Sequence, residues 1–137
     1  MKFLLDTNVL SEARRSLPEP RVARWMASVP LEMRYISVLA LGELTRGIAL
    51  MLDRDQARAE LYRDWLLAVR AQYAGRVIGI DAGVAETWGM MTAYSRTSPV
   101  ADALLAATAR FHGLVLATRN RRDFQGLGIQ VFDPWTE

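Results

Sequence analysis

Short apolar segments alternate with longer helical patterns along the whole chain. The apolar segments that are typical of strands are KFLL at 2–5, RYIS at 34–37, RVIGI at 76–80, LVLAT at 114–118 and IQVFD at 129–133. Between them apolar residues recur at helical spacing, as Ala57, Leu61 and Trp65 do within 53–73. Strands that alternate with helices favour a parallel sheet covered on both faces. We therefore expect an α/β fold of three layers, α/β/α, around a short and mainly parallel central sheet.

Helix boundaries are also marked in the sequence. The segments that predict helices are 8–15, 21–29, 38–52, 53–73, 81–96 and 98–113. In the last of these Ser98 suits the N-cap, Pro99 the first helical position and Gly113 the position after the end. RRDF at 121–124 predicts a turn or a short helix. No linker, repeat or low-complexity stretch interrupts the pattern, so we expect one domain over 1–137.

Composition excludes several kinds of chemistry. The 137 residues include no cysteine, one histidine (His112) and one lysine (Lys2). Disulfides, thiolate metal sites, histidine-rich zinc sites and P-loop ATPases are therefore excluded. Lys+Arg 17 against Asp+Glu 15 gives a net charge of +2, which is too small to indicate nucleic-acid binding by bulk charge. Neither a signal peptide nor an apolar run of about 18 residues is found, so we expect a cytoplasmic protein without a membrane segment.

Polar residues follow two of the predicted strands. Asp6 comes directly after the first strand, and Thr118, Asn120 and Asp123 follow LVLA in the same way. In open α/β sheets the ligand site lies beyond the carboxyl ends of the strands, which favours a functional site here. The alternative is structural: Asp6 or Asn8 caps the next helix, and Asp123 caps a short one. For Asp6 the two interpretations have equal weight.

Two further carboxylates lie inside predicted helices. The neighbours of Glu43 on its helix face are mostly apolar or small, so its carboxylate needs a partner, either an ion or Arg46. Asp102 is the only charge in the small apolar run 98–109. It falls near the start of its helix, where an aspartate that merely complements the helix dipole is the alternative.

These carboxylates are accompanied by no histidine or thiol that could share the chemistry. A ligand set made only of oxygen atoms suits hard cations such as Mg²⁺ or Mn²⁺. Carboxylates that hold such ions commonly activate water for attack on a phosphodiester. The cluster is costly without an ion, because carboxylates a few ångströms apart repel and one of them takes up a proton.

Four motifs occur together in an order that resembles a known family. The motifs are LLDTNVL at 4–10, ALGELTRGI at 40–48, PVADALLAATA at 99–109 and LATRNRRDF at 116–124, followed by the similar ending VFDPW at 131–135. In this order they resemble PIN-domain ribonucleases, and in particular the VapC-type toxins of toxin–antitoxin pairs, including the FitB-like branch. Each motif alone is weak, but the four together span essentially the whole chain.

The resemblance assigns roles to individual positions. Asp6 and Asp102 match the main metal ligands of the family, and Glu43 matches the acidic residue that holds or positions metal and water. Asp123 matches the fourth and most variable acidic residue. Asn120 occupies a position that is acidic in some relatives, so which of the two serves a second metal stays open.

The remaining implications concern activity and partners. Thr7 or Asn8, together with Thr118, match polar residues that orient the metal ligands. The resemblance implies a PIN-like fold and a Mg²⁺- or Mn²⁺-dependent endoribonuclease that hydrolyses RNA phosphodiesters by metal-activated water. It also implies a type II toxin that is blocked by a VapB-type antitoxin and commonly forms a homodimer. The alternative is a PIN-like binding module without nuclease activity.

RNA affinity has to come from a local patch, because the total charge is near neutral. Candidate arginines are Arg14, Arg15, Arg46 and those in 119–122, although several of these side chains could simply be solvated. The four tryptophans are expected in the core or at interfaces rather than as platforms for base stacking.

Overall fold

The computed structural model of the chain describes residues 1–94 and 98–137. Its strands are β1 (Phe3–Leu5), β2 (Arg34–Ser37), β3 (Val77–Ile78), β4 (Val115–Ala117) and β5 (Val131–Phe132). Its α-helices are α1 (Thr7–Arg14), α2 (Pro20–Ser28), α3 (Val38–Leu52), α4 (Gln56–Gln72), α5 (Ala82–Thr92) and α6 (Val100–His112). Two 3₁₀ helices, Leu31–Met33 and Arg121–Phe124, complete the order.

All strand pairs in the sheet are parallel, and the strand order is β3-β2-β1-β4-β5. Leu4 of β1 is in register with Tyr35 of β2 on one side and with Leu116 of β4 on the other. The second and third strands are therefore added to one side of β1, in the order β2 and then β3. The chain then crosses to the opposite side of β1, where it forms β4 and β5. This reversal creates a switch point between β1 and β4, which is where open α/β sheets place their ligands.

The side chains of β1 alternate between two cores, one on each face of the sheet. Phe3 and Leu5 join a buried cluster that includes Val9 of α1, while Leu4 joins a second cluster that includes Leu105 of α6. Successive strand residues point to opposite faces, so this separation shows helices packed on both sides of the sheet. The predicted three-layer α/β/α arrangement is confirmed, and the sheet is parallel throughout the described residues.

Most element predictions are confirmed, and β2 has the same bounds as the predicted strand 34–37, but the other four strands are shorter than expected. The predicted strand 76–80 is reduced to β3, and 129–133 is reduced to β5. Both lie at the edges of the sheet, where only one neighbouring strand supplies hydrogen bonds. The predicted helix 38–52 matches α3 residue for residue.

The predicted start of α6 is wrong by one position. Pro99, not Ser98, occupies the N-cap, and α6 begins at Val100. Pro99 has a ψ of 146°, an extended conformation that keeps it outside the helix, and no side chain caps this terminus. Gly113 ends the helix as predicted, with a left-handed φ of 66°. The end of the predicted helix 81–96 lies partly outside the described residues.

In the described ranges no helix is both long enough and apolar enough to cross a bilayer. That the whole of 1–137 forms one domain stays a prediction.

Candidate active site

Asp6 lies directly at the end of β1, beside the switch point of the sheet. Its side chain is buried, with 9% of its surface exposed. Oδ1 accepts a hydrogen bond of 2.7 Å from the backbone N–H of Thr7, and Oδ2 accepts one of 2.7 Å from the hydroxyl of Thr118. The first contact caps α1 and the second joins β1 to the end of β4. The carboxylate is therefore held in one orientation, and the capping role occurs together with its place in the candidate site.

Asn8 and the backbone after β4 extend this connection. The Asn8 amide nitrogen donates to the Thr118 hydroxyl at 3.3 Å, and the Asn8 side-chain oxygen accepts from the backbone N–H of Arg119 at 3.3 Å. The Thr118 hydroxyl also accepts from the backbone N–H of Asn120 at 3.0 Å. Thr118 is fully buried, so these bonds replace its contacts with water. The loops after β1 and β4 consequently form one rigid floor beneath Asp6.

The pKa shifts connect four carboxylates that lie far apart along the chain. Burial raises the pKa of Asp6, the contacts with Thr118 and Thr7 partly offset this, and Asp123 raises the pKa further. Burial also raises the pKa of Glu43, and the charges of Asp6 and Asp102 add to the rise.

The pKa of Asp102 is raised in the same way, first by burial, then by the charge of Asp123 and then by that of Asp6. These effects connect four acidic residues that come from the end of β1, α3, the first turn of α6 and the 3₁₀ helix after β4. We call Asp6, Glu43, Asp102 and Asp123 the acidic cluster.

Glu43 and Asp123 are both more exposed than Asp6. The neighbours of Glu43 on its helix face had indicated a more enclosed carboxylate, but this part of α3 borders an open pocket. The alternative partner Arg46 is not used, because Glu43 forms no ion pair within the described residues. Asn120 contributes through its backbone N–H, while its exposed side chain forms no hydrogen bond in the described part of the chain.

The donor set fits a hard divalent cation, with oxygen as the only ligand type. Within 1–94 and 98–137 there is no group of three or more acidic, histidine or cysteine side chains whose arrangement could hold a metal ion. Mg²⁺ does not need such a group, because it usually binds one or two carboxylates and keeps several waters. The Thr7 hydroxyl reduces the rise in the pKa of Glu43, yet this buried oxygen has no partner at full hydrogen-bonding geometry. The Thr7 hydroxyl is therefore available to bind a ligand or a water molecule at the cluster.

Two of the arginines proposed for RNA binding have carboxylate partners. Arg15 pairs with the buried Glu12 at 3.3 Å, and Arg121 pairs with Glu137. Arg14 instead lies over the ring of Tyr62, with its guanidinium carbon 3.8 Å from the ring centre. Sequence reasoning missed Tyr62, because nothing in the pattern of α4 separates it from other residues of an amphipathic helix.

The fold and the site define an α/β protein whose acidic cluster lies at the switch point of a parallel sheet. The PIN domain family model matches residues 3–129, and the chain belongs to the PIN-domain family. The family resemblance stated from the sequence is thereby confirmed.

Individual relatives cover almost the whole chain. Toxin FitB of Neisseria gonorrhoeae is 36% identical, over 97% of this chain and 98% of that protein. VapC ribonuclease Y4jK of Sinorhizobium fredii is 32% identical, over 97% of both chains. The crystal structure of FitAcB from Neisseria gonorrhoeae superimposes with a TM-score of 0.89 at 34% identity, covering 98% of this chain and 99% of that one.

Proposed function

We propose that this chain is a divalent-metal-dependent endoribonuclease that acts as the toxin of a type II toxin–antitoxin pair. The observation that carries the proposal is the buried Asp6, fixed at the switch point by Thr7 and Thr118, whose charge raises the pKa of both Glu43 and Asp102. Carboxylates are rarely brought together in this way for stability alone, because their repulsion and desolvation both oppose folding. The similarity to proteins named as a toxin and as a ribonuclease supports the same activity.

Asp6 and Asp102 are the residues that would hold Mg²⁺ or Mn²⁺. Asp6 is well suited to this role, because Thr7 and Thr118 fix both of its oxygens and prevent the side chain from rotating away. A bound divalent ion would supply a water of lowered pKa and would offset the charge that develops on the phosphate.

Glu43, at the open side of the cluster, accepts a hydrogen bond from water and orients it toward the phosphorus. Asp123, whose charge acts on both Asp6 and Asp102, would serve a second ion or the water around the first one. The Asn8 side chain and the backbone N–H of Asn120 hold the Thr118 hydroxyl in place. Hydrolysis in this arrangement gives a 5′ phosphate and a 3′ hydroxyl.

The proposed partners are a VapB-type antitoxin protein and a second copy of the chain. An antitoxin follows from the toxin role, since a nuclease of this kind needs a neutralising protein in the cell that makes it. A homodimer is supported by large apolar side chains on α5 and α6 that are exposed in the single chain. They are Met90 (79% exposed), Val100 (62%) and Phe111 (50%). A cytoplasmic location is part of the same proposal.

Cleavage of RNA by matched variants tests the nuclease. Purified wild type is incubated with total RNA in Mn²⁺, in Mg²⁺ and in EDTA, and the ends of the products are mapped. We expect metal-dependent cleavage that falls by at least about 100-fold in Asp6→Asn and Asp102→Asn, because each loses a charge that holds the ion. Asp64→Asn, an equal change at an exposed position of α4, is the control and should cleave like wild type.

Two outcomes would contradict the nuclease. Equal cleavage by wild type and Asp102→Asn would place the activity outside the acidic cluster. No cleavage of any RNA by folded wild type in either metal would favour the alternative, a PIN-like binding module without nuclease activity.

A further inference from the structure

A pocket of about 280 Å³ runs from the acidic cluster along α1 and α3 to α4. Thr7 and Glu43 line it together with Arg14, Tyr62 and Trp65. Thr7 begins α1 and Arg14 ends it, so these two residues mark ends of the pocket about 10 Å apart along the helix. The first end belongs to the candidate active site, while the second contains no acidic residue. A molecule bound at the acidic cluster therefore has a continuous path into a pocket of a different chemical character.

The far end of this pocket combines a cation with two aromatic rings. The guanidinium carbon of Arg14 lies 3.8 Å from the centre of the Tyr62 ring and 5.5 Å from that of Trp65. The Tyr62 hydroxyl accepts a hydrogen bond of 2.8 Å from Arg58, which fixes the ring from the other side. Arg14 and Arg58 also lower the pKa of Tyr62, as expected where positive charge is concentrated. We call Arg14, Tyr62 and Trp65 the arginine–aromatic shelf.

Arg14 carries a positive charge that no carboxylate neutralises. It forms no salt bridge with any described acidic side chain, whereas its neighbour Arg15 is paired with Glu12. Stacking on an aromatic ring holds a guanidinium in place. One N–H of Arg14 also contacts the Tyr62 hydroxyl, and its other N–H groups stay available to donate. Such an arginine is prepared to bind an anion with two parallel hydrogen bonds, and phosphate matches that geometry.

Apolar side chains complete the walls of the pocket. Leu44 and Met51 of α3 face the aromatic residues of α4 across it. A flat, largely apolar ring system with a charged group attached to it fits these walls better than a flexible aliphatic chain does. A nucleotide unites both features, since its base has two π-faces and its phosphate is an anion.

We propose that the arginine–aromatic shelf is a nucleotide subsite of the nuclease, where Arg14 binds a backbone phosphate next to the scissile one and an unpaired base enters the pocket against Tyr62 and Trp65. The inference rests on the proposed function for the identity of the substrate as RNA. It assigns Arg14 and Tyr62 to substrate binding and gives the enzyme a preference for single-stranded or flipped-out nucleotides.

The position of the shelf favours RNA over a protein segment as its occupant. Consecutive phosphates of one strand must reach both the acidic cluster and a cation, and the pocket offers these at its two ends. Bases also stack on an aromatic ring whatever their identity, so the subsite tolerates several sequences.

Direct binding of RNA tests the subsite separately from catalysis. The Asp6→Asn chain, which is not expected to cleave, is titrated against fluorescein-labelled 12-mers of adenylate, uridylate and cytidylate, and fluorescence anisotropy gives the Kd. Adding Arg14→Ala or Tyr62→Leu should weaken binding by about tenfold each. Arg14→Ala should also reduce the slope of log Kd against log salt by about 0.7, the effect of one phosphate contact to a single strand. Tyr62→Leu should leave that slope unchanged.

Two matched controls account for charge and for surface aromaticity. Arg63→Ala removes the same charge from an exposed position on α4, and Tyr94→Leu removes a tyrosine that is 95% exposed elsewhere. Both should bind the 12-mers like the parent chain. Kd values and salt slopes of Arg14→Ala and Tyr62→Leu that equal those of the controls would overturn the subsite and indicate a protein-docking face. Absence of measurable binding to all three RNAs would overturn it as well.

Kinetics distinguish failure of the subsite from failure of the nuclease. In the otherwise wild-type chain, Arg14→Ala should raise KM for RNA about tenfold with kcat little changed, because the contact is remote from the reacting atoms. Metal-dependent cleavage with an unchanged KM would overturn the subsite and leave the nuclease intact. Absence of any cleavage by wild type would overturn the nuclease. The anisotropy assay would still show whether Arg14 and Tyr62 bind RNA.

Discussion

One oxygen of Asp6 caps α1 through the N–H of Thr7, and the other accepts the hydroxyl of Thr118. Asparagine preserves the shape of this side chain and can still cap the helix, but it removes the charge. Because Asp6 and Asp102 have raised pKa values, each charged form opposes folding at neutral pH without metal.

Asp102→Asn should therefore raise the melting temperature of the metal-free protein at pH 7. Asp6→Asn should raise it less, because the new amide nitrogen cannot accept the hydrogen bond that the Thr118 hydroxyl donates to Asp6. We expect a small rise, because solvent screens the partly exposed charge of Asp102. Calorimetry in EDTA measures the change, with the exposed Asp64→Asn as a control that should not shift. A clear loss of stability in both cluster variants would show that the carboxylates do not destabilise one another.

The pH dependence of stability has a definite sign for these groups. A carboxyl whose pKa is higher in the folded state binds more protons there, so its contribution to stability is present at low pH and is lost as the pH rises through the raised pKa. The advantage of Asp102→Asn over wild type should be near zero around pH 4, grow as the pH rises and then level off. Urea unfolding in EDTA across this range gives the difference, and a difference that shrinks with rising pH would contradict the raised pKa.

The sequence was enough to propose the acidic residues as site candidates, because strand ends and apolar helix faces can be recognised from the order of residues alone. Asp6 follows a buried strand, and Asp102 is the only charge in an apolar run, so both stood out. The exposure of Glu43 and the contact between Arg14 and Tyr62 were not visible. Each depends on the distance between α3 or α1 and α4, and local sequence does not encode how far apart two helices lie.

Gly113 ends the helix that carries Asp102 and turns the chain directly into β4. Its φ of 66° is strained for any residue with a Cβ, and the N–H of Leu114 closes the turn on the carbonyl of Ala109 at 2.8 Å. Gly113→Ala should therefore lower the free energy of unfolding by about 1 kcal/mol.

The same substitution in α5 should have the opposite sign. Gly89 lies in the helix with a negative φ, and a Cβ added there would meet no atom within 4 Å. Gly89→Ala should stabilise the protein by about 0.5–1 kcal/mol, because alanine loses less backbone entropy in a helix. Urea denaturation of both variants tests the pair, and effects of the same sign would contradict the assigned backbone conformations.

At the level of elements, the order and type of the helices and strands were predictable, while the edges were not. The alternation of strand and helix patterns predicted the α/β architecture. The edge strands β3 and β5 are only two residues long, because each pairs with a neighbour on one side only. Ser98 offered the side chain of an N-cap, yet the extended ψ of Pro99 moved the start of α6 to Val100. A residue that favours the N-cap indicates that a helix begins nearby, and the φ and ψ angles of the backbone determine the first helical residue.

For the molecule as a whole, the proposed function couples ion binding to folding. An ion that binds the folded cluster and not the unfolded chain would stabilise the protein by RT ln(1 + [ion]/Kd). At ten times the Kd, Mg²⁺ or Mn²⁺ should add about 1.4 kcal/mol to the free energy of unfolding, and EDTA should remove it. Asp6→Asn and Asp102→Asn should lose most of this gain, while Asp64→Asn should keep it. Differential scanning fluorimetry at a series of ion concentrations gives the comparison. An equal metal-dependent rise in melting temperature in wild type and in both cluster variants would mean that the ion binds elsewhere, and the proposed nuclease site would lose its physical basis.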